Sequence, residues 1–175
     1  MVKENLNKIG ILGGSFDPPH IGHVHISKLA IKKLKLNEVL WVVTRQNPLK
    51  KKVYLSTSLR LKLSKNILKN QKKILVKSLS KKINSENTFD LLKNLKKKNK
   101  NSKFYFLIGA DNMINLHKWK KWKKIPSLAK IVVFARTNYS KLALKSVASR
   151  QLDKKDWLYI SGDKVNISST LIRNF

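Results

Sequence analysis

Residues 10–25 read GILGGSFDPPHIGHVH, and this stretch decides how the rest of the chain is interpreted. It opens with an apolar run that is typical of a buried strand. The run breaks at Gly13-Gly14, where the backbone turns tightly or approaches a ligand closely because no Cβ intervenes. Prolines restrict the loop that begins at Asp17, and an amphipathic helical pattern starts at Ile21. The stretch therefore predicts a strand, a glycine turn and a helix N-terminus, which is a phosphate-binding geometry.

The chain has 175 residues, no cysteine and a net charge of +30. This length is expected of one domain, so residues 1–175 are assigned to a single domain. The lack of cysteine excludes disulfides and thiolate metal sites. The first ten residues lack the apolar run of a signal peptide, and no stretch approaches membrane-spanning length. We therefore expect a cytoplasmic protein with no membrane partner.

The high positive charge is typical of a second class of protein, a lysine-rich nucleic-acid-binding module. Two observations weigh against it. Only five of the 39 basic residues are arginine, whose planar fork reads bases and phosphates. The lysines are also spread through every segment and accompanied by 16 asparagines, a pattern that genome-wide A+T bias produces. We expect no specific nucleic-acid partner, although the positive field would attract anionic nucleotides.

Strands and helices alternate along the rest of the chain. Apolar, β-prone runs predict further strands at residues 39–43, 74–76, 104–108, 131–135 and 157–160. Helices are predicted between them, one capped within Ser56-Thr57-Ser58 and one at Asn87 or Thr88. A loosely amphipathic helix and linker is predicted in 137–156, and a short helix in 167–173. This order predicts an α/β fold, a Rossmann-like doubly wound parallel sheet with helices on both faces.

Ligands bind such sheets at the carboxyl ends of the strands. A polar loop with three lysines, residues 44–52, follows the second strand there. A second strand-to-helix turn at 109–112 carries Asp111 at its exit. Trp119 and Trp122 follow at spacing three, and for Trp122 we favour core packing.

Four separated segments resemble one family in the right order: GGSFDPPHIGH (13–23), NTFDLL (87–92), FLIGADN (106–112) with Trp119, and ISSTLIR (167–173). The first resembles the signature of the nucleotidyltransferase superfamily, whose H-x-G-H motif is shared with class I aminoacyl-tRNA synthetases. Together with the length, they make the whole chain resemble the bacterial nicotinate-nucleotide adenylyltransferases. The resemblance implies transfer of AMP from ATP to nicotinate mononucleotide, giving deamido-NAD and pyrophosphate in NAD biosynthesis.

For ATP, the resemblance implies that His20 and His23 lie against the triphosphate and act as the catalytic residues. In-line attack on the α-phosphorus needs positioning and charge stabilisation rather than a protein nucleophile. Mg²⁺ is the expected cofactor, bound mainly through ATP phosphates and water, with no dedicated protein metal site. The other ATP-binding residues that the resemblance implies are Gly13, Gly14, Ser15, Phe16, Ser168, Ser169 and Arg173.

For the acceptor, the resemblance implies four residues. Thr88 matches the position whose backbone region meets the nicotinate carboxylate, Trp119 the aromatic that stacks on the pyridine ring, and Asp111 the acidic position between the substrates. Lys50, in NPLK, stands where the family usually has Pro-His-Lys. A second departure is Arg136-Thr137-Asn138, where Arg-Pro-Gly is common.

Two related adenylyltransferases remain as alternatives, one preferring nicotinamide mononucleotide and one acting on phosphopantetheine. The phosphopantetheine enzyme shares the ISSTxxR-like ending but normally carries threonine where this chain has His20. A class I synthetase is excluded because no anticodon-binding domain fits in this length. A homo-oligomer is compatible with the sequence.

Overall fold

The computed structural model describes residues 6–44, 53–78 and 87–162, together with Ser169 and Ile172. The described strands form one parallel sheet of six strands in the order β3-β2-β1-β4-β5-β6. The strands are β1 (Asn7–Gly14), β2 (Glu38–Val43), β3 (Ile74–Ser78), β4 (Ser102–Gly109), β5 (Lys130–Phe134) and β6 (Trp157–Ile160). The predicted doubly wound α/β sheet is confirmed, and its strand order reverses between β1 and β4. The assignment of residues 1–175 to one domain stays a prediction.

Helices follow the strands as the alternating pattern predicts. They are α1 (Ile21–Leu34), α2 (Thr57–Ile67), α3 (Thr88–Lys98), α4 (Ala110–Asn115), α5 (Ser140–Leu144) and α6 (Val147–Gln151), with 3₁₀ helices at Leu116–Lys118 and Trp122–Ser127. The predicted caps are confirmed, because the side chains of Ser56 and Asn87 accept hydrogen bonds from the third residue of α2 and of α3. Within the described ranges, no helix is long and apolar enough to span a membrane.

Apolar side chains cover both faces of the sheet. Successive strand residues point to opposite faces, so Ile11 and Leu12 lie in two different core clusters. Leu12 packs with Val24 of α1 in the cluster that α1 and α2 cover. Ile11 packs with Leu91 of α3 and Met113 of α4 in the other. The helices of the first two crossovers therefore lie on one face, and α3 and α4 lie on the other.

The segment 137–156 differs from its prediction as one loosely amphipathic helix and a linker. It forms the two short helices α5 and α6 instead. Ser146 separates them, because its hydroxyl accepts the N–H of Ser149 and so caps a new helix. Trp119, Trp122 and Ile125 are spaced three residues apart in the sequence. The segment that begins at Trp122 is a 3₁₀ helix, which has three residues per turn.

Candidate active site

The candidate site lies where the strand order reverses. β1 and β4 are neighbours in the sheet, and they end at Gly14 and Gly109. Because α1 packs on one face of the sheet and α4 on the other, the two strand-to-helix connections diverge, and in open α/β sheets ligands bind where connections diverge in this way. The structure thus brings the glycine turn and Asp111 to the same edge of the sheet.

His20 and His23 lie together at the start of α1. His20 is the N-cap residue, and the two ring centroids are 3.8 Å apart. The backbone N–H of His20 donates to Nδ1 of His23 at 3.2 Å. Since Nδ1 accepts this bond, a neutral His23 carries its proton on Nε2. This bond therefore fixes the orientation of the His23 ring and the nitrogen that carries its proton.

Three buried residues surround and hold His23. Phe16 stacks on Trp41 with centroids 4.8 Å apart, and its ring also lies 4.8 Å from that of His23. The indole Nε1 of Trp41 donates to Ser27 Oγ at 2.8 Å. The Ser27 hydroxyl in turn donates to the carbonyl of His23 at 2.8 Å. These contacts fix both the ring and the backbone of His23. The sequence analysis did not find Trp41 or Ser27, because each reads as an ordinary strand or helix residue.

Two glycines of β1 differ in their surroundings. A Cβ added to Gly10 would lie 2.9 Å from Leu36 Cδ1, so a larger residue there would force the buried Leu36 side chain to shift. A Cβ on Gly13 would meet Leu91 Cδ2 and Phe106 Cε2 at 3.9 Å, which is ordinary van der Waals contact. Packing within the protein therefore does not require Gly13, in keeping with the prediction that a ligand approaches its backbone.

A buried carboxylate joins the motif loop to the segment before α2. Both oxygens of Asp17 accept backbone N–H bonds, from Tyr54 and from Leu55, each at 2.9 Å. Arg60 of α2 is also buried and donates from Nη1 to the Ser15 carbonyl at 2.6 Å. The sequence analysis gave Asp17 only a role in the stiff loop, and it gave Arg60 none.

On the acceptor side, Thr88 is the first residue of α3. Its N–H is one of the first four of a helix, which have no partner within the helix. The Asn87 side chain accepts the N–H of Asp90 at 3.0 Å and so fixes where α3 begins. The predicted anion contact at Thr88 therefore falls on a defined helix N-terminus.

The ring of Phe106 lies between Trp119 and the glycine turn. Trp119 packs edge-on against Phe106, with centroids 6.1 Å apart, and Phe106 is one of the two side chains nearest to Gly13. Its indole Nε1 is buried without a hydrogen-bond partner among the described residues. Trp122 is half-buried against the same core, as expected for a packing residue. Trp119 thus packs against Phe106, and its predicted stacking on the pyridine ring stays a prediction.

Asp111 forms an ion pair that the sequence did not predict. Nη1 of Arg136, just after β5, lies 2.6 Å from Oδ2 of Asp111, and the side chains are 32% and 30% exposed. A Cβ on Gly109 would lie 2.5 Å from Oδ1 of Asp111, so glycine at that position leaves room for the carboxylate. The sequence analysis noted Arg136 only as the start of a departure from the family pattern.

The C-terminal motif meets the loop before α1. Ser169 is buried, and its hydroxyl donates to the carbonyl of Pro18 at 2.9 Å although 151 residues separate them. This contact places Ser169 against the loop that precedes His20, and its predicted role in binding ATP stays a prediction. Lys50, Ser168 and Arg173 lie outside the described residues, so their predicted roles stay predictions.

The comparisons with known proteins agree with this geometry. The cytidylyltransferase-like family model matches residues 11–175. A curated relative from Pelagibacter ubique (strain HTCC1062), described as a probable nicotinate-nucleotide adenylyltransferase, is 44% identical over 179 residues, with 99% of each chain covered. A relative of the same description from Clostridium novyi (strain NT) is 36% identical, with 97% of this chain and 86% of the relative covered.

Solved structures share the fold. The Plasmodium falciparum nicotinic acid mononucleotide adenylyltransferase complexed with NaAD has a TM-score of 0.78 and 24% identity, with 97% of this chain and 83% of that chain covered. The Plasmodium falciparum enzyme complexed with APC has a TM-score of 0.73, 23% identity and the same coverage. The family model and the curated relatives show that this chain belongs to the nicotinate-nucleotide adenylyltransferases, within the cytidylyltransferase-like proteins.

Proposed function

We propose that this protein transfers the adenylyl group of ATP to nicotinate mononucleotide, giving deamido-NAD and pyrophosphate as a step of NAD biosynthesis. The observation that carries the proposal is the histidine pair at the N-terminus of α1, beside a glycine turn at the point where the strand order reverses. Membership of the nicotinate-nucleotide adenylyltransferases supports the choice of acceptor.

In the proposed reaction, a phosphate oxygen of the mononucleotide attacks the α-phosphorus of ATP. A new phosphorus–oxygen bond forms as the bond to the leaving pyrophosphate breaks. The protein has to hold the two nucleotides in line and stabilise the negative charge that develops between them. His23 is suited to this task because its Nε2–H faces away from the bond that fixes Nδ1. His20 supplies a second donor. Its ring centroid lies 3.8 Å from that of His23.

We further propose the partners of each substrate. The backbone of residues 13–16 would line the nucleotide pocket, and the helix that contains Ser169 would hold the β- and γ-phosphates with Arg173. On the acceptor side, Thr88 would donate to the nicotinate carboxylate and Trp119 would stack on the ring. Lys50 would meet the acceptor phosphate. The contact of Ser169 with Pro18 supports the first group, and the Trp119–Phe106 contact supports the second.

Asp111 would lie between the two substrates, held in place by Arg136. A carboxylate next to two anionic nucleotides would repel them if it carried its full charge. The guanidinium, 2.6 Å from it, offsets that charge and leaves the other oxygen to accept a hydrogen bond. A hydroxyl of a substrate ribose has the chemistry to donate that bond.

We propose that Mg²⁺ reaches the site bound to ATP, where it would neutralise phosphate charge. The described residues contain no group of three or more histidine, aspartate or glutamate side chains able to hold a metal ion. Both oxygens of Asp17 already accept backbone N–H bonds. Mg²⁺ prefers phosphate and water oxygens, so the proposal requires no protein ligand.

This binding mode predicts a specific pattern in thermal melts. Mg²⁺ alone should leave the melting temperature unchanged, whereas Mg²⁺ with a non-hydrolysable ATP analogue should raise it. The stabilisation expected at a hundredfold excess over Kd is about 2.7 kcal/mol. Chelation with EDTA should abolish turnover and reverse the shift. A rise in melting temperature with Mg²⁺ alone would instead indicate a dedicated protein metal site.

The proposed function is tested by measuring pyrophosphate release from ATP with each acceptor offered separately. We expect release with nicotinate mononucleotide and deamido-NAD as the product by mass spectrometry. Release only with phosphopantetheine, or no release with any acceptor, would overturn the proposal. Tight binding of one duplex sequence at physiological salt, without turnover, would favour the nucleic-acid-binding alternative instead.

Three further expectations stay predictions. They are a cytoplasmic location, the absence of a specific nucleic-acid partner, and the compatibility of the chain with a homo-oligomer. The acceptor and ATP are the partners that the proposed reaction requires.

A further inference from the structure

We propose that Arg60 is a positioning residue for adenylyl transfer, acting on His23 through the turn formed by Ser15 and Phe16. The inference rests on the proposed function and assigns a role to a side chain outside every motif that carries the family resemblance. Arg60 would act through the backbone that it holds at the Ser15 carbonyl.

The guanidinium of Arg60 joins three separate parts of the chain. Its Nη1 donates to the carbonyl of Ser15, in the turn after β1, and to that of Thr44, just after β2, both at 2.6 Å. Its Nε donates to the carbonyl of Leu55 at 3.0 Å, and its Nη2 to Oγ1 of Thr57 at 2.9 Å. Only a planar fork with several donors can serve these directions at once.

This arrangement costs free energy, which argues that it serves more than packing. Arg60 is 1% exposed, and transfer of a charge out of water is unfavourable unless it is paired and hydrogen-bonded. Burial lowers the pKa of Arg60 from its ordinary value, while the negative charge of Asp17 opposes that effect. An apolar side chain would fill the same space without this cost, but it would leave the Ser15 and Thr44 carbonyls without these donors.

The turn that Arg60 holds is strained and leads directly to His23. Phe16 follows Ser15 and has a φ of 47°, in the left-handed region that a bulky residue seldom adopts. Its ring is the one that contacts His23 and stacks on Trp41. If the Ser15 carbonyl loses its donor, the φ of Phe16 is free to relax and the ring that supports His23 moves with it.

Asp17 acts on the same loop as Arg60. Its carboxylate holds the N–H groups of Tyr54 and Leu55, and Arg60 holds the Leu55 carbonyl. Asp17 and Arg60 thus fix the motif loop against the segment before α2 from both sides. We expect their effect on the position of His23 to appear in kcat, since a catalytic group displaced by about 1 Å can cost up to about 10²-fold in rate.

The test is a double-mutant cycle between Arg60→Lys and His23→Ala, read as kcat for deamido-NAD formation. Lysine keeps the charge and loses the fork. Arg60→Lys alone should lower kcat by about tenfold with the KM of each substrate little changed. In the His23→Ala background the same change should lower kcat less than about twofold, because the group that it positions is gone. Equal losses in both backgrounds would overturn the proposal.

Two control variants separate positioning from stability. Arg150→Lys makes the same exchange at an exposed position of α6 and should leave kcat unchanged. Leu36→Ala, at a buried site beside Gly10 of β1, should lower the melting temperature without changing the kcat of the folded enzyme. A loss of kcat in Leu36→Ala equal to that in Arg60→Lys would mean that Arg60 acts through stability alone.

If Arg60→Lys does not fold, Phe16→Leu replaces it in the cycle, because this change removes the ring contact with His23 and keeps Arg60. It should also lower kcat, and the loss should shrink in the His23→Ala background; an additive result overturns the proposal. The wild-type protein is measured in the same assay. If the wild type forms no deamido-NAD, the proposed function fails; if it does and the cycle is additive, only the role of Arg60 fails.

Discussion

Replacement of His23 by alanine should lower kcat for deamido-NAD formation by about 10²–10³-fold, the usual loss when one preorganised donor to developing charge is removed. The KM for ATP should change much less, because the donor acts chiefly on the charge that develops in the transition state. The physical reason is preorganisation. The backbone N–H of His20 orients the His23 ring through Nδ1, and Phe16 and Trp41 lie against it, so no reorientation is needed during reaction.

His20→Ala should give a loss of similar size. Its ring lies beside that of His23 at the same helix N-terminus. His25→Ala is the matched control, because His25 is on the same helix two residues later and is therefore turned by about 200° from His23. This variant also loses an imidazole ring, and we expect its kcat to stay within about twofold of that of the wild type. Single-turnover kinetics with saturating ATP would measure the chemical step directly. An unchanged kcat in both the His20 and His23 variants would remove the histidines from the mechanism.

Local patterns predicted the strands and helices because a strand buried on both faces reads as an apolar run, whereas a helix has apolar residues on one face. In β1 the alternation of Ile9, Ile11 and Leu12 between faces sets a strand, and the pattern that begins at Ile21 sets a helix on its period of 3.6. Helix caps are equally local, since Ser56 satisfies a donor only three residues away. The alternating order then restricts the topology to parallel strands joined by right-handed crossovers.

The residues that the sequence did not reveal are those whose partners lie far along the chain. Arg60 bonds to a carbonyl 45 residues earlier, and Trp41 reaches Ser27 across 14 residues. Nothing in the local pattern separates a buried arginine in α2 from the exposed lysines around it. Arg136 was equally hidden, because its pairing with Asp111 depends on β4 and β5 being neighbours.

Nicotinate mononucleotide should be used with a kcat/KM at least about 10²-fold above that of nicotinamide mononucleotide, since a site built on specific hydrogen bonds leaves polar groups unpaired with the wrong ligand. The two acceptors differ only by a carboxylate against an amide. Shape alone separates them poorly, so the site must offer donors that suit an anion. The N-terminus of α3 at Thr88 has such donors, with Asn87 already occupied by the N–H of Asp90.

The amide of nicotinamide mononucleotide would turn its own NH₂ towards those N–H donors, or flip and lose a hydrogen bond. In addition, charge-assisted hydrogen bonds to a carboxylate are about twice as strong as neutral ones. Trp119→Ala is the control that separates ring stacking from this recognition. Stacking is worth about 0.5–1.5 kcal/mol and reads only the face of the ring, so the variant should weaken both acceptors and leave their ratio nearly intact. Competition between the two mononucleotides in one reaction, with both dinucleotide products quantified, gives the ratio directly. Equal use of both by the wild type would place the chain with the enzymes that accept either acceptor, and it would remove Thr88 from anion recognition.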